Sequence, residues 1–294
     1  MTQPPIEPST DDIDPNDPPK APRCPPGSRR IALGVEYCGT DFNGWQIQPE
    51  GLTIQRTLEE AASRFADHPV SVICAGRTDA GVHATQQVVS FTTTAKRAEE
   101  GWVRGVNTFL PRSVAVRWMR PVPDDFHARF CARSRTYEYW IWNARTRAPL
   151  LDDRTGWVFR PLDVDRMREG ARALIGTHDF TSFRASECQA KTPVRTLTEL
   201  SIIRRDDLVG FRLTANAFLQ HMVRNIVGAL IYVGTGRREP GWIGELLEAR
   251  CREIAAPTFS PSGLYFVGVA YPDHPQIPQR GRSPFFGGFP EPGA

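Results

Sequence analysis

An arginine and an aspartate two residues apart are the side chains in this 294-residue chain best placed to do chemistry. They lie in the stretch from Cys74 to Phe91, which reads CAGRTDAGVHATQQVVSF. Apolar residues at both ends predict one strand entering and one leaving, and the glycines and Asp79 between them suit a tight turn. Because residues i and i+2 of an extended chain point the same way, Arg77 and Asp79 could face one cleft. An ionised carboxylate held there can act as a nucleophile or as a base.

The string of nine residues around Asp79 is far more specific than this pair. An aspartate before Ala-Gly is by itself an ordinary turn residue, and an arginine nearby is an ordinary surface partner. The string GRTDAGVHA, residues 76–84, resembles the signature of the tRNA pseudouridine synthase A family. The resemblance implies that Asp79 is the catalytic carboxylate.

Further motifs extend the resemblance over roughly residues 30–272, through six separated segments in the order typical of the family. Two positions depart from it. Cys38 stands in the segment Tyr-Cys-Gly-Thr, where the family has Tyr-Asp-Gly-Thr, and Gln86 stands where the family commonly has Gly. Neither departure touches the loop that carries Asp79.

Composition and charge limit the classes of protein that this chain could be. The hydrophobic content of 40% is ordinary for a globular protein. No apolar run approaches the roughly 20 residues that span a bilayer, and the acidic, proline-rich N-terminus lacks a signal pattern. Residues 29–272 carry a net charge of +6, because the first 28 residues carry −3 and the last 22 carry zero. This moderate positive charge suits a polyanionic partner, and we expect a cytoplasmic protein.

The six cysteines and six histidines are widely scattered, with neither a C-x-x-C nor an H-E-x-x-H motif. This spacing predicts reduced thiols, no disulfide framework and no metal site. The resemblance likewise implies a reaction that needs no cofactor.

Hydrophobic periodicity divides the chain into four predicted segments. They are a disordered proline-rich and acidic tail (1–28), an N-terminal half with the aspartate loop (29–149), a C-terminal half (150–272) and a second disordered tail (273–294). Outside the aspartate loop, the patterns predict strands over 30–37, 114–122, 194–203, 208–215 and 264–271. They predict helices over 54–65, 99–110, 164–175, 218–232 and 242–251.

A run of arginines leads into an aromatic strand that contains Tyr137. Arg129, Arg133 and Arg135 would suit phosphate contact beside base stacking, and the alternative is a solvated strand end with a core tyrosine. The resemblance assigns Tyr137 to stacking on the target uracil. For the two other conspicuous side chains, Trp45 and His83, we favour packing and structural roles.

Arg224 is the residue with the least ordinary context, because it lies in the apolar helical segment FLQHMVRNIVG. An unpaired buried charge is very costly, so this arginine needs a partner. That partner could belong to a purely structural salt bridge. The resemblance pairs Arg224 with Asp79.

The resemblance therefore implies an α+β protein with the pseudouridine synthase fold. Its mixed, mostly antiparallel sheet would have flanking helices and a catalytic cleft between two halves. The implied enzyme isomerises uridine to pseudouridine at positions 38, 39 and 40 of the tRNA anticodon stem-loop, and acts as a homodimer. The base would be flipped out, with Arg77 filling the vacated space and Tyr137 receiving the uracil.

Three points stay open at this stage. The carboxylate could attack the sugar, attack the base or abstract the C2′ proton. A non-catalytic RNA-binding protein is one rival, although Asp79, Arg77, Tyr137 and Arg224 together argue against it. A carboxylate-dependent hydrolase is another, and it would need a second acid that these motifs lack.

Overall fold

A computed structural model describes residues 21–285 and 288–289. Within them, ten strands form one sheet: β1 (Arg29–Tyr37), β2 (Ile73–Cys74), β3 (His83–Thr93), β4 (Val114–Pro121), β5 (Ser134–Trp142), β6 (Gly156–Trp157), β7 (Gly176–Asp179), β8 (Val194–Arg205), β9 (Leu208–Ala215) and β10 (Leu264–Ala270). The helices are α1 (Ile54–Ala66), α2 (Glu99–Asn107), α3 (Val164–Ala171), α4 (Met222–Gly234) and α5 (Trp242–Ala249). None of these helices has the length and apolar character that crossing a bilayer requires.

The sheet order is β4-β1-β3-β10-β5-β9-β8-β7, with β2 added beside β3 and β6 beside β5. Most neighbours are antiparallel, whereas β10 runs parallel to β3 and β6 runs parallel to β5. The predicted α+β class with a mixed, mostly antiparallel sheet is therefore confirmed. The last strand in sequence, β10, lies between β3 and β5 and so joins the β4-β1-β3 side of the sheet to the β5-β9-β8-β7 side.

The two faces of the sheet bury different side chains. Along β5, Tyr137, Tyr139 and Ile141 belong to the main core together with the helices. Trp140 points to the other face and packs in a small separate cluster. This alternation follows from the two-residue repeat of an extended strand. Tyr137 therefore lies on the helix-covered face, which is the face that the aspartate loop also meets.

The predicted elements differ from the observed ones mainly at their ends. The helix predicted from 218 begins at Met222, because His221 before it has a left-handed backbone with φ of 63°. The helix predicted over 164–175 ends at Ala171 and tightens into a 3-10 turn. Gly176, with φ of 114°, then turns the chain into β7. Non-helical backbone angles at these residues, and not the apolar pattern, set the boundaries.

Part of the segment for which the sequence predicts disorder, residues 273–294, lies against the sheet. Ile277 is 1% exposed, and the Ser283 hydroxyl donates to the Glu138 carboxylate on β5 at 2.8 Å. Phe289 completes the small cluster on the face opposite the helices. The proline and glycine content of this segment predicts no regular structure, but its few apolar side chains find partners on an existing surface. The rest of this tail, 286–287 and 290–294, lies outside the described residues.

The N-terminal tail reaches the folded part at its end. The Ala21 backbone N–H donates to the Asp125 carbonyl at 3.1 Å, and Arg30 donates to the Pro22 carbonyl at 2.8 Å. Residues 1–20, for which the sequence also predicts disorder, lie outside the described part of the chain. The division into two halves at about residue 150 stays a prediction.

Candidate active site

Buried hydrogen bonds hold the loop between β2 and β3 in place. The Tyr37 hydroxyl lies 2.9 Å from the Thr78 hydroxyl, and the Gln87 side chain donates to the Gly76 carbonyl at 2.6 Å. The Trp45 backbone N–H donates to the Thr78 carbonyl at 2.9 Å. Buried, satisfied polar groups of this kind hold a loop in one conformation. The residues that flank Asp79 are therefore rigidly placed.

The segment around Gly44 packs closely against the same loop. A Cβ at Gly44, where φ is 85°, would lie only 2.8 Å from the Thr78 carbonyl oxygen, so glycine is required there. The next residue, Trp45, is 2% exposed and its ring centroid lies 6.1 Å from that of Tyr37. The predicted packing role of Trp45 is confirmed.

Asp79 receives two side chains from the start of α4. Arg224 Nη1 lies 3.2 Å from Asp79 Oδ2, and His221 Nε2 lies 3.4 Å from the same oxygen. The Arg224 Nε–H also donates to the Phe259 carbonyl at 2.8 Å, which fixes the guanidinium. The first turn of a helix favours negative charge in addition, because of its free N–H groups and its dipole. The implied pairing of Arg224 with Asp79 is present, and it joins the loop to α4.

Tyr137 lies directly beneath this loop. It is 8% exposed, and its ring is 4.9 Å from Phe266 and 5.1 Å from Phe218, between ring centroids. A Cβ at Gly76 would lie 3.8 Å from its hydroxyl oxygen. Burial raises the pKa of Tyr137 first, and nearby negative charge, including that of Asp79, raises it further. The phenol is therefore neutral and close to the carboxylate.

Arg77 stands apart from this cluster. Its side chain is exposed, and within the described residues no ion pair joins it to Asp79. The arginine is thus available to a ligand outside the protein. The two side chains are not bonded to each other. Whether Arg77 and Asp79 face one cleft stays a prediction about how the protein binds its ligand.

The predicted phosphate contact of Arg135 is wrong. This residue is 7% exposed, and its guanidinium donates to the carbonyl oxygens of Ala75, Arg129, Ala132 and Asn216 at 2.6–3.3 Å. The alternation of β5 that places Tyr137 on the inner face also places Arg135 there, because the two residues are two apart. By contrast, the Arg133 side chain is 40% exposed.

His83 has a structural environment, as the sequence analysis favours. Its Nδ1 accepts from the Gly39 N–H at 3.1 Å, and its Nε2 lies 3.0 Å from the Ser262 carbonyl oxygen. These partners require a neutral ring with the proton on Nε2. Burial, the largest cause, lowers the pKa of His83 to about 4.

This lowered pKa predicts an acid-sensitive contribution to stability. The unfolded chain binds a proton on His83 near its ordinary value of 6.5, whereas the folded chain binds it only near 4. The contribution is therefore complete above pH 6.5 and is lost as the pH falls towards 4, by about 3 kcal/mol in total. We expect urea unfolding at pH 7.5 and pH 4.5 to show a smaller stability difference for His83→Gln than for wild type. An equal difference in both proteins would assign the acid sensitivity to other groups.

His221 is the site residue that the sequence analysis did not single out. Its only sequence signal is its place three residues before Arg224, because residues i and i+3 share one side of a helix. What distinguishes it is the left-handed backbone and the contact with Asp79, neither of which a sequence pattern reveals.

Comparisons with known proteins agree with the motifs. The family model described as tRNA pseudouridine synthase matches residues 34–131 and 171–272. The tRNA pseudouridine synthase A of Janthinobacterium sp. (strain Marseille) is 56% identical over 258 residues, covering 86% of this chain and 95% of that protein. The tRNA pseudouridine synthase A of Paraburkholderia xenovorans (strain LB400) is 52% identical over 250 residues, covering 85% and 93%. A chain in the crystal structure of an archaeal box H/ACA sRNP Nop10–Cbf5 complex has a TM-score of 0.32 at 13% identity, over 79% of this chain and 46% of its own.

The family model and these relatives show a pseudouridine synthase, which is an isomerase. The chain belongs to the tRNA pseudouridine synthase family.

Proposed function

We propose that this protein converts uridine to pseudouridine at positions 38, 39 and 40 in the anticodon stem-loop of tRNA, with Asp79 as the catalytic carboxylate. The observation that carries the proposal is the ion pair between Asp79 and Arg224, set in the family's motifs. The relatives at 52% and 56% identity, which are named tRNA pseudouridine synthase A, support tRNA as the substrate.

The reaction is a rearrangement in which atoms are neither added nor lost. The N1–C1′ bond breaks, the uracil turns, a C5–C1′ bond forms, and C5 loses a proton while N1 gains one. Asp79 must be ionised to begin this sequence, whether it attacks carbon or takes the C2′ proton. Arg224 stabilises that ionised form at Oδ2. Because the contacts of Arg224 and His221 are both with Oδ2, we assign the reacting role to Oδ1.

A uridine inside a stem can react only after leaving it. Flipping costs a few kcal/mol of unstacking and unpairing. Arg77, which is exposed beside the loop, is suited to fill the space that the base leaves. Tyr137 is suited to receive the uracil, because it lies under the loop and keeps its proton over the whole physiological range. The protein would work in the cytoplasm as a homodimer, as the family resemblance implies.

The test of this function is a map of pseudouridine in tRNA from cells with and without the gene. We expect pseudouridine at positions 38, 39 and 40 to disappear and to return with a plasmid copy. Purified protein should form it in an unmodified anticodon stem-loop transcript without added metal or cofactor. Unchanged maps would contradict the proposal, and binding of tRNA without product would favour the non-catalytic RNA-binding alternative.

Substitutions of Arg224 should slow the reaction both through lost charge and through lost bond geometry. Arg224→Lys keeps a positive charge but has a single nitrogen in place of the separate Nε and Nη1 donors that contact the Phe259 carbonyl and Asp79, whereas Arg224→Met loses both contacts. We expect a loss in the single-turnover rate constant of about 10-fold for Lys and about 100-fold or more for Met. Arg166→Met is the matched control, because its ion pair with Glu239 is at the surface. Rates for Arg224→Met equal to wild type would make the Asp79 pair purely structural.

A further inference from the structure

The contact between His221 and Asp79 is not accounted for by the pairing with Arg224. Both side chains reach the same carboxylate oxygen, Oδ2, at 3.4 and 3.2 Å, and both come from the start of α4. Arg224 is more enclosed than His221, with side-chain exposures of 13% and 28%. The histidine is therefore the more solvent-exposed of the two partners of Asp79.

The backbone of His221 is also unusual. Its φ of 63° lies in the left-handed region, which few residues other than glycine adopt. The surrounding hydrogen bonds fix this conformation: the His221 carbonyl accepts from Asn225, and the Gln220 carbonyl accepts from Ala185, each at 2.9 Å. Strained backbone that neighbouring bonds hold in place is concentrated at functional sites. Here it turns the imidazole towards Asp79 just before the helix begins.

We propose that His221 is a positioning residue for the reaction: its Nε2 lies 3.4 Å from Oδ2 of Asp79 in the free protein and donates to that oxygen once the RNA is bound. With Arg224 on the same oxygen, the carboxylate cannot rotate freely about its Cβ–Cγ bond. Oδ1 is then presented to the substrate in one orientation. The inference rests on the proposed function, because it concerns how Asp79 is held while it reacts.

Two donors on one oxygen have a chemical advantage over one. A carboxylate bound by Arg224 alone could exchange its two oxygens by rotation, whereas a second donor from a different direction fixes the plane of the group. Hydrogen bonds to a charged group are about twice as strong as those between neutral groups. Loss of the His221 donor should therefore leave Asp79 less well oriented and lower the rate of the reaction. The role requires an N–H at the position of Nε2, and it does not require the ring to change its protonation state.

The experiment compares three substitutions at this position. His221→Gln keeps an N–H donor at similar reach, His221→Leu removes the donor but keeps most of the volume, and His221→Gly removes the side chain while suiting the left-handed backbone. Single-turnover rates are measured at saturating anticodon stem-loop RNA, with RNA affinity and melting temperature measured separately. His68→Gln is the control, since that ring contacts Pro69 and Thr93 and none of the site residues.

We expect Leu and Gly to lower the single-turnover rate constant by about 10- to 100-fold, with RNA affinity within about 3-fold of wild type. Gln should stay within about 3-fold in rate, and His68→Gln should match wild type. The proposal is overturned if Gly keeps the wild-type rate, if Gln is as slow as Leu, or if only RNA affinity changes. If Leu does not fold, the comparison of Gln with Gly decides. An inactive wild type would contradict the proposed function, whereas an active wild type with unaffected variants would contradict this inference alone.

Discussion

Asp79→Asn should abolish pseudouridine formation while leaving tRNA binding within a few-fold of wild type. An amide cannot be ionised, so it serves neither as the nucleophile nor as the base, and we expect a rate loss of about 10³-fold or more. Its oxygen can still accept from Arg224, which lies 3.2 Å from Oδ2 in the native protein. The loop itself is held by contacts of its neighbours with Tyr37, Gln87 and Trp45, so it should keep its conformation.

The measurement is single-turnover product formation, with affinity determined on the same RNA. Asp206→Asn is the matched control, because that residue is exposed in the β8–β9 turn and has φ of 51°, which asparagine tolerates. Phosphate contacts supply most of the affinity for RNA, so binding should survive in both variants. Turnover near the wild-type rate by Asp79→Asn, in protein whose mass confirms the substitution, would remove the carboxylate from the mechanism.

Local pattern was enough to predict the loop around Asp79 and the strands on either side of it. Glycines at tight positions and apolar runs report backbone requirements that lie within a few residues of each other. The sequence also predicted that Arg224 has an acidic partner, because a charge in an apolar helix needs a counter-charge. Which carboxylate it would meet came only from the family resemblance.

The contacts that sequence analysis missed depend on distant parts of the chain. His221 and Asp79 meet from distant parts of the chain, and the left-handed backbone of His221 leaves no sequence pattern. The tail segment near Ile277 packs on a surface that other strands create. Arg133 and Arg135 are two residues apart, so alternation alone does not separate them; Arg135 lies within β5 and is buried, whereas Arg133 precedes the strand and is exposed. Such features follow from tertiary packing and not from local propensity.

Arg135→Met should destabilise the fold far more than the same change at Arg133, two residues earlier in the chain. The guanidinium supplies donors to four carbonyl oxygens, those of Ala75, Arg129, Ala132 and Asn216. Methionine leaves these buried oxygens without that donor, at about 1–3 kcal/mol for each one that water cannot reach. Relief from burying the charge offsets part of this, because burial already lowers the pKa of Arg135.

We therefore expect a net loss of about 3 kcal/mol in the free energy of unfolding, which is a large part of the 5–15 kcal/mol typical of a domain. In a chain of this size that lowers the melting temperature by about 6–12 °C. The control is Arg133→Met, whose ion pair with Asp273 at 3.4 Å is exposed and contributes about 0.5 kcal/mol or less. Thermal and urea unfolding of both variants measure the difference. The opposite pattern, a stable Arg135→Met protein with much weaker tRNA binding, would restore the phosphate contact that the sequence predicts, because a residue that binds RNA at the surface affects affinity and not folding.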